Sequence, residues 1–230
     1  MGEPTVTAPE RDVLLAAKLH IPVPRPGLVP RPRLTARLDE GLVRGLALVC
    51  APAGYGKTVL LADWAGHSGR PAAWLSLDPG DNDPARFWRH AVAALDWARP
   101  GTGERVGPLL GPPAPSSFQD LVTALINDLA ADESLIVLDD YHVIGSPQVH
   151  ESLAFLVEHR PAGIGVILAS RSDPPLALAR LRARGQRVAP LVRRCGPHRR
   201  LALLELTGPR GHDHHVAAPG EGFRSTRPGP

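Results

Sequence analysis

Apolar positions along the chain fall into two kinds of pattern, short unbroken runs and sets at helical spacing. Leu46-Ala47-Leu48-Val49-Cys50, Ala72-Ala73-Trp74-Leu75-Ser76-Leu77, Leu135-Ile136-Val137-Leu138 and Gly165-Val166-Ile167-Leu168-Ala169 are the runs. Their length and continuity predict strands buried on both faces, as in a parallel sheet. Between them, residues 58–64 read as a helix, and residues 85–97 place Phe87, Ala91, Ala94 and Leu95 on one helical face. Ser117-x-x-Asp120 reads as a capping box opening a helix through Leu121, Leu125, Ile126 and Leu129. Ser146-Pro147 supplies a cap and a first-turn proline for a helix to about Glu158, and residues 176–184 after Pro174-Pro175 predict a last short one. This alternation implies an α/β fold: a parallel sheet covered by helices on both faces, joined by right-handed crossovers.

The grammar changes past Gln186. Residues 189–230 hold 7 Arg against 3 Asp+Glu, a balance of +4, while residues 1–188 hold 19 Lys+Arg against 20 Asp+Glu, a balance of −1. The expected organisation is an N-terminal arm (1–35), an α/β domain (36–186) and a basic Arg/Pro/Gly/His-rich tail (187–230) without order of its own. The tail lacks interleaved aromatics or a helix-turn-helix pattern, so it is expected to make phosphate contacts at most and not to read DNA sequence. No stretch approaches 18 apolar residues and Met1-Gly2-Glu3-Pro4-Thr5 is no signal pattern, which implies no membrane partner. Cys50 and Cys195 make no disulfide framework, as expected in a cytoplasmic protein.

Candidate chemistry begins at Ala51-Pro52-Ala53-Gly54-Tyr55-Gly56-Lys57-Thr58, between the first run and the helix after it. Strand, glycine loop and helix in that order make a phosphate-binding loop. Gly54, Tyr55 and Gly56 offer backbone N–H groups, Lys57 a compact charge for the β- and γ-phosphates, and Thr58 a hydroxyl for Mg²⁺. Twenty-four of the 26 basic residues are arginine, so a lysine here is a departure from the chain's habit. Ala51 stands where the motif has its first glycine. About 80 residues on, the third run delivers Asp139-Asp140. A carboxylate at the end of a buried strand suits Mg²⁺, which assigns Asp139 to the metal side, while Asp140 can orient or deprotonate an attacking water. Arg171 follows the fourth run; from spacing alone, a γ-phosphate contact and a surface ion pair with Asp173 are equally open.

Other candidates have plainer readings. His142 reads as a structural strand-end residue, and Trp64, Trp74, Trp88 and Trp97 as core or half-buried packing. Cys195-x-x-His198 with His212-x-His214-His215 lacks the paired spacing of a zinc site.

Lys18-Leu19-His20-Ile21-Pro22, Leu28-Val29-Pro30-Arg31-Pro32-Arg33-Leu34, the loop 51–58, Trp74-Leu75-Ser76-Leu77-Asp78, Leu138-Asp139-Asp140-Tyr141-His142 and Ala169-Ser170-Arg171-Ser172-Asp173-Pro174-Pro175 occur in one order. Together they resemble the large ATP-dependent LuxR-type transcriptional regulators, over roughly residues 14–186. Alanine at position 51 is usual in that group. The resemblance implies a signal-transduction P-loop ATPase that binds ATP or ADP with Mg²⁺, makes Arg171 a γ-phosphate sensor and places Val29, Arg31 and Arg33 near the adenine. It also implies a fifth strand, helical domains, an inducer sensor and a DNA-binding module, none of which is visible after Gln186. The expectation is therefore a regulatory nucleotide switch with an incomplete sheet edge, in a truncated or frameshifted product. A dedicated fast ATPase or kinase and a non-functional remnant are the rival readings. The inducer, the target DNA and any self-association stay open.

Overall fold

The computed structural model describes residues 16–24, 27–43, 45–104, 106–111, 117–130, 133–176 and 187–190. Strands β1 (Gly45–Cys50), β2 (Ala72–Ser76), β3 (Ser134–Asp139), β4 (Ile164–Ser170) and β5 (Arg187–Pro190) form one parallel sheet in the order β2-β3-β4-β1-β5. Helices α1 (Pro32–Val43), α2 (Lys57–His67), α3 (Pro84–Ala98), α4 (Phe118–Asp128) and α5 (Pro147–His159) connect and cover it. Every residue of β1, β3 and β4 is buried, which is why these strands show no alternation in sequence.

The pleat sorts the strand side chains into two cores. Leu46, Leu48, Leu75, Ile136, Leu138, Val166 and Leu168 pack beneath α3, α4 and α5. Ala47, Val49, Trp74, Leu135, Val137, Ile167 and Ala169 face α1 and α2. Gly165 belongs to the close approach of α1. A Cβ there would lie 2.6 Å from Leu42 Cδ2 and 3.1 Å from Leu135 Cδ2, so a larger residue would force these side chains to shift. Trp88 is fully buried, and its indole N–H donates to Ser152 Oγ at 2.9 Å, joining α3 to α5.

Several expectations need correction. The fifth strand is present. Residues 187–190 pair with β1 on the side away from β4, and Pro190, without an N–H, is tolerated because this is an edge strand. The sheet edge thus extends past Gln186. Helix α1 begins inside the expected arm: Leu34, Leu38 and Leu42 make an i, i+4, i+8 stripe buried against the sheet, after a first-position proline. Ser146 makes no side-chain cap; Asn82 Oδ1 accepts from the N–H groups of Gly145 (2.6 Å) and Ser146 (3.0 Å) instead. At α4, Ser117 caps the helix by accepting from Gln119 N–H at 3.1 Å, a plain N-cap in place of the expected capping box with Asp120. Trp97 is 59% exposed and meets the His20 ring edge-on at 4.6 Å. The expected helix over 176–184 and the histidines and cysteine of the tail lie outside the described residues, apart from Leu176, which is buried. Among the described residues no helix is long and apolar enough to cross a membrane.

A buried polar cluster ties the N-terminal arm to the carboxyl end of β2. Lys18 Nζ, in a 3-10 turn over Ala16–Lys18, donates to Asp81 Oδ2 at 2.5 Å and to Asp78 Oδ2 at 3.1 Å. His90 Nδ1 lies 2.7 Å from Asp81 Oδ1, and Asp78 N–H donates to Asp81 Oδ2 at 2.9 Å. Asp78 and Asp81 also complete a reciprocal capping box on the 3-10 helix Pro79–Asn82. Burial alone raises the Asp81 pKa, but hydrogen bonds from His90, Lys18 and the Asp78 backbone bring it down to about 2. A carboxyl held below its ordinary value of about 3.9 contributes stability that is complete above about pH 4 and lost as the pH falls toward 2. Thermal melting followed from about pH 5 to about pH 2 should show this acid-side loss. Asp81→Asn should melt lower than the parent at neutral pH and lose less across the same window.

Candidate functional site

Because the strands are parallel, the carboxyl ends of β1, β4 and β3 lie side by side, and the chain leaves each of them at one edge of the sheet. The loop 51–56 leaves β1 there and turns into α2. Ala51 N–H donates to Ser170 O at 3.1 Å, tying the start of the loop to the end of β4. Gly54 (φ 81°) and Gly56 (φ 73°) both take the left-handed conformation that favours glycine. Gly56 is the N-cap of α2 and has no side chain to cap it. The N–H groups ahead of Leu60, whose own N–H donates to Gly56 O at 2.9 Å, lack intrahelical partners and stand at the positive end of the α2 dipole, a ready acceptor of anions.

Lys57 is 6% exposed, with Nζ donating to Ala51 O at 2.9 Å and Pro52 O at 3.3 Å. Its ammonium is held by carbonyls of its own loop. Thr58 Oγ1 donates to Asp139 Oδ2 at 2.7 Å, across 81 positions of sequence. Asp139 is nearly fully buried; burial pushes its pKa up, the Thr58 hydrogen bond pulls it back, and the charge of Asp140 pushes it up again. A buried carboxylate with a second acid beside it favours a cation.

Asp140 has φ 56° and ψ 34°, a left-handed backbone at a non-glycine residue, and its N–H donates to Asp139 Oδ1 at 2.9 Å. Such a conformation costs about 1 kcal/mol or more and re-aims the side chain away from the strand. Asp140 Oδ1 lies 3.6 Å from His142 Nδ1 and 4.0 Å from Arg171 Nε. Arg171, half exposed, thus reaches across from the end of β4 toward the end of β3. Burial lowers the His142 pKa and the Arg171 charge lowers it further, which favours the neutral imidazole.

Beside the loop, Pro22, Val23, Pro24, Gly27, Leu28, Val29 and Arg31 of the arm face Thr58, Val59 and Ala62 of α2 across a cleft of about 510 Å³. Arg31 donates to Tyr55 O at 3.4 Å, which lays its guanidinium along the loop. Val29 is 70% exposed at the cleft. Arg33 is exposed on the first turn of α1 and does not line the cleft. The structure thus gathers Gly54, Tyr55, Gly56, Lys57, Thr58, Asp139, Asp140 and Arg171 at one sheet edge, with Val29 and Arg31 beside them. Sequence reading did not single out Pro22, Pro24, Val59 or Ala62 as cleft residues, and no spacing signal marks them. Together the groups can hold a polyanion on N–H donors and Lys57, a divalent cation at Thr58 and Asp139, and a flat apolar group in the cleft. Among the described residues no cluster of three or more His, Cys, Asp or Glu is placed to bind a metal through side chains alone.

No protein-family model matches the chain. Over 176 residues it is 37% identical to the HTH-type transcriptional regulator MalT of Cronobacter sakazakii, a match covering 76% of this chain and 19% of that regulator. The chain therefore spans about a fifth of the length of the curated relative it matches. Among solved structures, the Walker-type ATPase PABY2304 of Pyrococcus abyssi superposes with a TM-score of 0.42 at 17% identity, over 64% of this chain and 47% of that one. PCH-2 of C. elegans superposes with a TM-score of 0.37 at 18% identity, over 70% and 40%.

The Asp139 environment carries a stability consequence. A carboxyl whose folded pKa is raised destabilises the fold at neutral pH, and the cost is relieved as the pH falls past that raised value. Asp139→Asn should therefore melt higher than the parent at pH 7 without divalent cation. The Thr58 hydroxyl can rotate to accept from the new amide. Differential scanning calorimetry in EDTA measures this, and a lower melting temperature would contradict the reading.

Proposed function

We propose, from a chain that is MalT-like in sequence across its P-loop portion, that this protein is an ATP-binding regulatory switch module. The observation that carries the reading is the bond from Thr58 Oγ1 to Asp139 Oδ2 at 2.7 Å, which joins the end of the phosphate loop to the acid at the end of β3. In the proposed complex the triphosphate lies on the N–H groups of Gly54 to Thr58, and Lys57 exchanges its Ala51 and Pro52 carbonyls for β- and γ-phosphate oxygens. Thr58 and Asp139 would hold Mg²⁺, which supplies charge neutralisation between the phosphates. The arm and α2 would enclose the base between Val29 and Val59.

Asp140 is the group for the attacking water. Its left-handed backbone turns it out of the strand at the γ-phosphate end of the site, and Arg171 stands 4.0 Å from it. When ATP binds, Arg171 can leave Asp140 for the γ-phosphate, which frees the carboxylate to order water. Slow hydrolysis then alternates ATP and ADP states, and that alternation would control a transcription regulator as in the LuxR-type group. The partner domains and the DNA they would act on belong to this proposal.

Binding and turnover test the reading separately. Lys57→Ala should weaken binding of a fluorescent ATP analogue about 100-fold, the loss expected for a charge-assisted contact of about 3 kcal/mol. Asp140→Asn, which tolerates the left-handed conformation, should bind ATP within about twofold of the parent and turn it over at least about tenfold more slowly. Unchanged affinity in Lys57→Ala would sink the site assignment. Unchanged phosphate release in Asp140→Asn would remove Asp140 from the chemistry. A parent turnover above about 10 per second would favour a dedicated ATPase over a switch.

A further inference from the structure

The chain has two lysines, and both are buried at 6% exposure. Lys57 sits in the phosphate loop. Lys18 sits in none of the chemistry described above, yet its ammonium is sunk between Asp81, which is fully buried, and Asp78. The sequence after Lys18 passes from one face of the sheet to the other. Leu19 packs into the core beneath α3, α4 and α5, whereas Ile21 packs against the core of α1 and α2. The crossing occurs beside edge strand β2, whose exit carries Asp78 and Asp81. Pro22, Val23 and Pro24 follow at once as one wall of the cleft, and Val59 and Ala62 of α2 form the facing wall.

A wall of half-buried prolines and exposed valines has little cohesion of its own; Val23 is 91% exposed and Val29 70%. Its distance from α2 is set by where the arm is anchored. The anchor is ionic, buried at Lys18 and Asp81 and half exposed at Asp78. Without Lys18 the buried Asp81 carboxylate would keep His90 Nδ1 at 2.7 Å and Arg86 Nε at 3.7 Å but lose its contact with the arm, and a displaced arm would take the cleft wall with it.

We propose that Lys18 is a positioning residue of the nucleotide site, its ammonium clamped by Asp78 and Asp81 so that the arm stands at the right separation from α2 to enclose the base. This rests on the ATP reading above and adds a base-side role for a residue 33 positions before the phosphate loop begins. The clamp touches neither phosphate nor metal groups, so its loss should be felt by ligands with a base and not by the polyphosphate alone.

Isothermal titration of the full chain with Mg·ATP and with Mg·inorganic triphosphate separates the two ends of the site. The double variant Lys18→Met/Asp81→Asn removes the clamp without leaving a buried unpaired charge. It should bind ATP about tenfold more weakly than the parent while its triphosphate affinity stays within about twofold. Equal loss for both ligands would show a merely structural role, and unchanged ATP affinity would show that the arm needs no clamp; either overturns the proposal. If the double variant does not fold, Asp78→Asn removes the half-exposed partner and keeps the buried pair. It should show the same ATP-selective loss at smaller size, and its absence would equally overturn the idea. A parent chain that binds neither ligand would overturn the nucleotide reading, and with it this inference.

Discussion

Parallel pairing of β1, β4 and β3 sets where the phosphate loop and the acidic strand end meet, because β4 lies between them and is paired with both. The registers place Cys50 opposite Ser170 and Leu138 opposite Leu168, so β1 and β4 end level and β3 ends one residue earlier. A slip of one residue would move a strand by about 3.3 Å and send its side chains to the opposite core. Burial of every residue in these strands forbids that slip, since each face is matched to its own helices. The 2.7 Å bond from Thr58 to Asp139 is a consequence of this register, not its cause.

The two buried lysines show how partner chemistry separates function from architecture. Lys57 is held by two carbonyls, neutral groups that orient an ammonium and leave its charge to attract an anion. Lys18 is held by two carboxylates, which consume its charge locally. The same side chain thus meets neutral carbonyls in one place and carboxylates in the other. Acids follow the same division: Asp81 is stabilised as an anion by His90 and Lys18, whereas Asp139 is destabilised by burial and by Asp140. A folded domain tolerates the second kind of carboxylate where a cation completes it.

Much of this was legible along the chain. Four strands and four helices were marked by continuous apolar runs and by helical spacing, and the loop and its acidic counterpart by local motifs. Helix α1 was missed although Leu34, Leu38 and Leu42 are regularly spaced, because the prolines and arginines around them resemble an arm. β5 was missed for a different reason. Four residues ending in proline carry no pattern, and only the vacant edge of β1 makes a strand of them. Asn82 replaced Ser146 as the cap of α5 because the loops after β2 and β3 lie together, which no local signal shows.

Sequence alone determined the kinds of group available: a glycine loop closed by lysine and threonine, a strand closed by two acids, and an arginine after the next strand. These are written locally, because backbone conformation and buried strands impose their demands on neighbouring residues. Tertiary structure decided the pairings. Arg171 faces Asp140, Arg31 lies on the loop while Arg33 points elsewhere, and Lys18 is buried against acids some 60 residues away. Such contacts depend on strand order and on which face of the sheet each segment reaches, and those are settled by burying two cores at once.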